Sequence, residues 1–587
     1  MLKIFRHFIS NHPKEFIFLF FILIIEGFIA SLAVISIAPL ADFLVNSSLN
    51  DPSFITLFFI TILNYLGFSP SLLVFSLFFI STNLLRGFLE IGIKYAVLVI
   101  KYKVQKDIVL TLLHKIFKAK WSFVSNNKKG RLLNTFDREV SIVGDTLGHL
   151  TMQFAQLFQL IIYLIVPIWI NAQMTITAMA LAIIFALPFL LLHKINYKLG
   201  QENTRTRNNL MSIMYEAFNG IKLIMGFSKQ EKSLIFYKNG FDMHVNATIK
   251  SQTLAQSIHS IFQPIGIAAA IISLFLAINS EVKISEASIV LWSLFRAMPI
   301  MGTLLGTNLS ISNFVPSYEQ LMEIQNNAIK EREVSGQIKF EELKDSIRLS
   351  NVGFSYSRGV PTLKNINIEI KKNKRTAIVG ETGSGKSTII DLILGFQNIS
   401  EGEIFYDDIS FRELDLNSFR KKVGYVPQDA FLFNGTIKEN LLWAIDIDDE
   451  NKLNLAIEKA GIKNFIESLP DGINTQVGDN GVKLSGGQKQ RISLARSLIR
   501  EPEILLLDEA TSSLDSETEN EIQNTLGAFN GKITSVIIAH RLSTIIDAEQ
   551  IYVLNNGKII ESGSYRDLKM KNNSYFRKML KAQKILK

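Results

Sequence analysis

The sequence predicts a chain in two parts: an α-helical membrane domain with six transmembrane helices, followed by an α/β domain. Three observations carry this. Apolar runs long enough to cross a bilayer fill the first half. Lys and Arg crowd into two of the connections between those runs. From about residue 346 onward, short strand-like runs such as Ile347-Arg348-Leu349 alternate with helical stretches. At 587 residues the chain has room for more than one domain. Its mean hydropathy of +0.23 is high for a soluble protein.

A spanning helix needs about 20 mostly apolar residues. Six candidates lie near 16–39, 72–98, 152–171, 174–193, 257–279 and 286–314. The run at 54–67 is apolar but short, and is read as part of an external loop or an interfacial helix. Lys3, Arg6 and His7 precede the first run in the manner of a secretory signal. The run that follows is too long for a signal core, so it is read as a retained first helix.

Charge orients the spans. The segment 40–71 has no Lys or Arg, and 280–285 has only Lys283 as a basic residue, whereas 101–150 is crowded with basic residues from Lys101 to Arg138 and 194–256 is also basic. The excess of positive charge on the inside therefore places the N-terminus, both long connections and the C-terminal half in the cytoplasm. The chain is expected to be a multi-pass protein of the cell membrane, most simply a bacterial inner membrane. The net charge of +9 lies mostly beside apolar runs and is not interleaved with stacking aromatics, which argues against nucleic acid as a partner. The absence of cysteine excludes disulfides, thiolate metal sites and a cysteine nucleophile.

Both long cytoplasmic connections show helical spacing and are expected to extend the membrane helices. Each has an interruption, at Ser125-Asn126-Asn127-Lys128-Lys129-Gly130 and at Asn219-Gly220, where two helices would reverse. The expected domains are 1–315 for the membrane part, 316–345 for a linker rich in Glu, Lys, Asn and Gln, and 346–587 for the α/β part.

The strand at 375–379 runs into Gly380-Glu381-Thr382-Gly383-Ser384-Gly385-Lys386-Ser387-Thr388 and then an apolar helix, Ile389 to Leu394. This is a phosphate-binding loop in its strand–loop–helix context. The glycines let successive backbone N–H groups face phosphates, and the helix N-terminus adds positive potential. Lys386 would reach the β- and γ-phosphates of ATP and Ser387 would ligate Mg²⁺. A second apolar strand, Ile504 to Leu507, ends in Asp508-Glu509. Asp508 is placed to hold Mg²⁺ through its water shell, and Glu509 to act as the general base on the attacking water.

Between these two elements lies Leu484-Ser485-Gly486-Gly487-Gln488, leading into the helix Lys489 to Ile499. This pentapeptide resembles the signature motif of the ATP-binding cassette (ABC) transporters, and further matches follow in the family's order. Tyr356 resembles the aromatic that stacks on adenine. Gln428, in Val426-Pro427-Gln428, resembles the glutamine that reaches the metal and γ-phosphate and links them to the membrane domain. Ser512-Ser513-Leu514-Asp515 resembles the dimer-contact loop. His540 resembles the histidine on the γ-phosphate. The resemblance covers about 240 C-terminal residues, and more weakly the six-span half, where the stretches Gly130 to Val140 and Tyr215 to Glu231 match the exporter-type membrane domain.

The resemblance implies an ATPase coupled to export by alternating access, in a domain-swapped dimer. Ser485, Gly486, Gly487 and Gln488 of one chain would serve the nucleotide on the other. No catalytic position is degenerate, so a homodimer is expected, with a paralogous half-transporter as the other option. Charged residues inside spans point to the cargo. Arg86, Glu90 and Lys94 share one helix face, Glu26 lies in the first span and Arg296 in the last, near Pro299. Arg86, Glu90 and Arg296 are candidate substrate residues for an amphipathic, anionic, lipid-linked cargo. Glu26 and the segment Phe295 to Pro299 resemble flippases of lipid-linked oligosaccharides. A lipid A-type flippase and a drug or peptide exporter are the alternatives, with an ATP-gated channel or an importer on the same fold further behind.

Overall fold

The computed structural model describes residues 13–45, 49, 52–278, 284–356, 360–509, 527, 531–539 and 545–582. The chain divides into two compact units: Met1–Ala119 with Phe123–Arg332, and Lys120–Ser122 with Glu333–Lys587.

The first unit is helical. Among the described residues five helices are long and apolar enough to cross a membrane: Pro13–Val45, Leu72–Phe117, Lys129–Ile170, Ala172–Phe189 and Ala287–Lys330. The expected span at 257–279 lies in the helix Gln230–Ile278 and reaches beyond the described residues. The apolar run at 54–67 is a helix, Phe54–Tyr65, too short to span. Helix Leu72–Phe117 has 46 residues. At 1.5 Å per residue it is about 69 Å long, over twice the ~30 Å hydrocarbon thickness. Its basic second half therefore projects out of the bilayer, as the charge pattern predicts. A single residue, Asn171, connects the third spanning helix to the fourth. Asn171 accepts a hydrogen bond from Met174 N (3.0 Å) and donates its own N–H to Pro167 O (2.8 Å), ending one helix and capping the next.

Two expectations are corrected. The stretch 316–345 is not a linker throughout, because the helix Ile284–Lys330 runs through Pro316 to Lys330. Leu321, Ile324 and Ala328 recur at helical spacing and are buried, so the polar composition there is that of an amphipathic helix. The first reversal also comes earlier than expected. A short helix, Trp121–Asn126, forms the tip, and Lys129-Gly130 already open the next helix, Lys129–Asn134. Gly130 marks a close approach, not a turn: a Cβ there would lie 2.5 Å from Ser212 Cα. The second tip, Ile221–Gly226, is a short helix directly after Asn219-Gly220.

Hydrogen-bonded polar side chains join these long helices outside the apolar spans. A π-helical turn, Thr135–Glu139, interrupts the third helix and turns Thr135 and Glu139 inward, both fully buried. Asn134 Nδ2 donates to Glu139 Oε1 (2.8 Å) and Asn208 Oδ1 (2.7 Å). Asn208 Nδ2 donates to Gln320 Oε1 (2.6 Å), and Gln320 Nε2 donates to Thr135 Oγ1 (2.9 Å). Three helices are thereby fixed in register, since breaking any link strands a buried amide.

The second unit is α/β. Its central sheet has the strand order Lys558–Gly563, Gln550–Asn555, Arg375–Gly380, Thr534–Ile538, Ile504–Asp508, Val423–Val426. All neighbours are parallel except the first pair. Strands Arg375–Gly380, Ile504–Asp508 and Thr534–Ile538 are buried along their whole length, as a parallel sheet covered on both faces requires. A separate antiparallel sheet holds Leu363–Lys371, Ser346–Phe354, Glu401–Tyr406 and Ile409–Ser410.

Gly200 provides a test of the helix packing. A Cβ there would meet the carbonyl oxygen of Asn313 at 2.1 Å, backbone that cannot swing aside, whereas a Cβ on Gly306 meets nothing within 4 Å. We expect Gly200→Ala to destabilise the protein by about 1–3 kcal/mol, seen as a lower melting temperature in detergent. Gly306→Ala should leave the melting temperature unchanged.

Candidate nucleotide site

The site forms at the C-terminal edge of the parallel sheet, where ligands of open α/β sheets collect. Register aligns the parts. Ile378 pairs with Ile538, Ile538 with Asp508, and Leu507 with Val426. Gly380, Asp508-Glu509 and Gln428 therefore leave the sheet at nearly one level.

The loop Gly380–Ser384 turns into the helix Lys386–Ile393, which starts three residues earlier than the apolar pattern suggested. Gly385 caps this helix with φ +103°, and a Cβ there would meet Leu363 Cδ2 at 2.6 Å. At Gly380 a Cβ would lie 2.1 Å from Leu554 O. Lys386 is buried, and its Nζ donates to the carbonyls of Gly380 (3.1 Å) and Glu381 (3.0 Å). Burial pushes its ammonium below the usual lysine range, against the pull of Glu509 and Asp508. Glu381, Thr382 and Gly383 are exposed at the loop surface. Ser384 is buried, and its hydroxyl has no hydrogen-bond partner among the described residues.

Ser387 Oγ donates to Asp508 Oδ1 at 3.0 Å, so two oxygen ligands of the kind a hard divalent cation prefers lie side by side. Gln428 Nε2 donates to Glu509 Oε2 at 2.8 Å. Glu509 is nearly buried, and its backbone lies in the left-handed region at φ +50°. A non-glycine residue held there costs roughly 1–3 kcal/mol, a strain typical of residues whose side chain must be aimed. The same Gln428 also borders an open groove of about 300 Å³, shared with Phe431, Gly486 and Lys489. The Glu509 carboxylate is thus one hydrogen bond from that groove.

Tyr356 is 58 % exposed; Phe354 meets its ring edge-on at 4.8 Å, and its hydroxyl lies 3.2 Å from Thr388 Oγ1, so an open aromatic face stands next to the loop. Ser485, Gly486, Gly487 and Gln488 form the first turn of the helix Gly486–Leu498. Ser485 Oγ accepts from Gln488 N (3.3 Å), and Ser485 N donates to Gln488 Oε1 (2.9 Å), a capping box that fixes the turn. Ser485 and Gly486 are exposed. His540 and Ser512-Ser513-Leu514-Asp515 lie outside the described residues.

One residue beside the site was not picked out from the sequence. Asp391 follows Lys386 on the loop helix, and burial together with the charge of Asp508 pushes its carboxyl up to about 6. Its signal was a lone acid among Ile389, Ile390, Leu392 and Ile393, which are all fully buried.

In the membrane unit, Arg86 Nε lies 3.4 Å from Glu26 Oε1, and Glu26 is fully buried. The Arg86 guanidinium lies 5.5 Å from the Tyr163 ring centroid. Arg296 Nη2 donates to Asn83 Oδ1 (3.1 Å), with its guanidinium 4.9 Å from the Trp292 ring. Glu90 forms an ion pair with Lys94 one turn on (3.1 Å), so that carboxylate is answered on its own helix.

Comparison with known proteins agrees with this geometry. The ABC transporter family model matches residues 363–512, and the ABC transporter transmembrane region matches 16–298. The chain is 33 % identical over 454 residues to the heterocyst differentiation ATP-binding protein HepA of a Nostoc species, covering 76 % of this chain and 74 % of that protein. It is 30 % identical over 512 residues to the ATP-dependent lipid A-core flippase of Photobacterium profundum, covering 85 % and 86 %. Its fold matches a bacterial Atm1-family ABC exporter with ATP bound, with a TM-score of 0.82 at 24 % identity over 97 % of this chain and 98 % of that one. The chain belongs to the ABC transporter family, as an exporter-type half-transporter: a multi-pass membrane protein whose cytoplasmic α/β domain binds and hydrolyses ATP.

Proposed function

We propose that two copies of this chain, or this chain and a paralogous half-transporter, hold ATP between them and use its hydrolysis to flip an amphipathic, anionic, lipid-linked cargo outward across the membrane. The observation that carries the ATPase half is the convergence of Lys386, Ser387, Asp508, Gln428 and Glu509 at one sheet edge.

The residue roles follow from that geometry. Gly380 to Thr388 present backbone N–H groups and the Ser384 hydroxyl to the phosphates, and Lys386 turns from its carbonyls to the β- and γ-phosphates. Tyr356 offers its open face to adenine. Ser387 and Asp508, with Gln428, are the groups that would hold Mg²⁺, which when bound neutralises charge on the phosphates. Glu509 accepts a proton from the attacking water, with Gln428 orienting its carboxylate. We assign His540 to the γ-phosphate. The exposed turn Ser485 to Gln488 serves the partner's nucleotide, and the Ser485 hydroxyl, already accepting from Gln488 N, keeps its proton to donate. ATP binding then favours the joined cassettes and hydrolysis releases them, driving the membrane half between its two access states. Residues 1–315 and 346–587 are assigned as membrane and ATPase domains, with the boundary helix running on to Lys330.

The cargo reading rests on charge. Glu26 neutralises one of two arginines, and Glu90 is neutralised by Lys94, which leaves one net positive charge around Arg86 and Arg296. Intramembrane charge is retained where it serves a pathway. A lipid-linked oligosaccharide with a pyrophosphate linkage has the complementary charge. A lipid A-type cargo is the second reading, favoured by the lipid A-core flippases among the relatives.

Two results are expected. Glu509→Gln should lower kcat for ATP by about 100-fold or more while ATP stays bound, measured by turnover and by retention of labelled nucleotide. Turnover near wild type would remove Glu509 from the role of base. In proteoliposomes, polyprenyl-pyrophosphate glycans should stimulate ATPase activity, and Arg296→Ala should abolish that stimulation while basal turnover persists. Stimulation by amphipathic drugs alone would overturn the cargo assignment.

A further inference from the structure

We infer that Tyr575, near the C-terminus, is a positioning residue for the phosphate loop: it holds the Glu381 carboxylate away from the incoming triphosphate. Glu381 is the one acidic residue between Gly380 and Thr388. A carboxylate free to swing over that loop would repel an anion the loop exists to bind. Its Oε1 accepts the phenolic proton of Tyr575. A phenol on a carboxylate is a charge-assisted hydrogen bond, stronger than one between neutral groups.

What makes Tyr575 a fixed post is its own mounting. It opens the helix Tyr575–Ala582, and its ring packs against the α/β core. Phe576 and Leu580 of the same helix are fully buried in that core. The Glu561 carboxylate takes the first two N–H groups of the helix, Tyr575 N at 2.8 Å and Phe576 N at 3.0 Å. Ser574 Oγ accepts from Arg577 N (2.9 Å) and donates to Leu568 O (3.1 Å). The start of the helix is therefore tied at four points, and the hydroxyl of Tyr575 has little freedom. On the loop side, the backbone carbonyl of Glu381 accepts from Lys386 Nζ at 3.0 Å. The residue whose side chain Tyr575 restrains is thus the one whose backbone parks the phosphate-binding lysine.

The inference rests on reading Gly380 to Thr388 as the phosphate loop, and two measurements on the full-length protein separate them. The first is steady-state MgATP hydrolysis in proteoliposomes. Tyr575→Phe keeps the packed ring and removes only the hydroxyl. It should raise KM for ATP about threefold, the size of a single exposed charge interaction, at unchanged kcat. Adding Glu381→Gln to the same chain should return KM to the wild-type value, because an amide does not repel phosphate. An unchanged KM in Tyr575→Phe overturns the inference, and so does a raised KM that Glu381→Gln fails to restore. The second measurement is turnover of Lys386→Ala: normal hydrolysis there would mean that the loop itself is misassigned.

Discussion

The rest of the structure depends on one electrostatic requirement: a triphosphate carries several negative charges and must be met by donors that do not have to be reorganised. The parallel sheet meets it by register. Because Ile378, Ile538 and Asp508 stand side by side, the loop after Gly380, the acids after Leu507 and the glutamine after Val426 emerge together. Buried strands make that alignment stiff. Sliding one by a single residue would unseat every side chain from its packing on both covered faces. The strain at Glu509 and the hydroxyl of Ser384, unpartnered among the described residues, are then costs held in place by the sheet.

The membrane half answers a different constraint. Its helices run on past the apolar spans, and there they are joined by close packing and hydrogen bonds. Both are visible. Gly130 and Gly200 let helix backbones approach to distances at which no side chain fits. The chain of amides from Asn134 through Asn208 to Gln320 binds helices distant in sequence. Thr135 and Glu139, the ends of the π-helical turn, are both fully buried.

Much of this was legible in the sequence. The phosphate loop, the strand ending in Asp508-Glu509 and the signature turn at Ser485 are local patterns whose chemistry dictates their spacing, and each forms where expected. The spans were legible because lipid demands length and apolarity. What escaped was what depends on side chains meeting across the fold. Nothing local in Pro316 to Lys330 says that its polar residues coat a helix; only the burial of Leu321, Ile324 and Ala328 does. Gly130 read as a breaker because crowding by Ser212 lies 82 residues away in the chain. Asp391 and Tyr575 carry no motif; what singles them out is the charge of Asp508 near the first and the hydrogen bond of the second to Glu381. The pairing of Glu90 with Lys94, by contrast, was legible in their spacing of four on one helix face.

The central claim is that each ATP is shared between two chains, the loop of one and the Ser485 turn of the other. A mixed dimer tests it most directly, made from one chain carrying Lys386→Ala and one carrying Ser485→Ala, each inactive when paired with itself. If the turn serves the partner, both lesions fall on one site and leave the other whole. The mixed dimer should then occlude one ATP per two chains when hydrolysis is blocked. Occlusion of none would mean that each chain builds its site alone, and would contradict the shared arrangement.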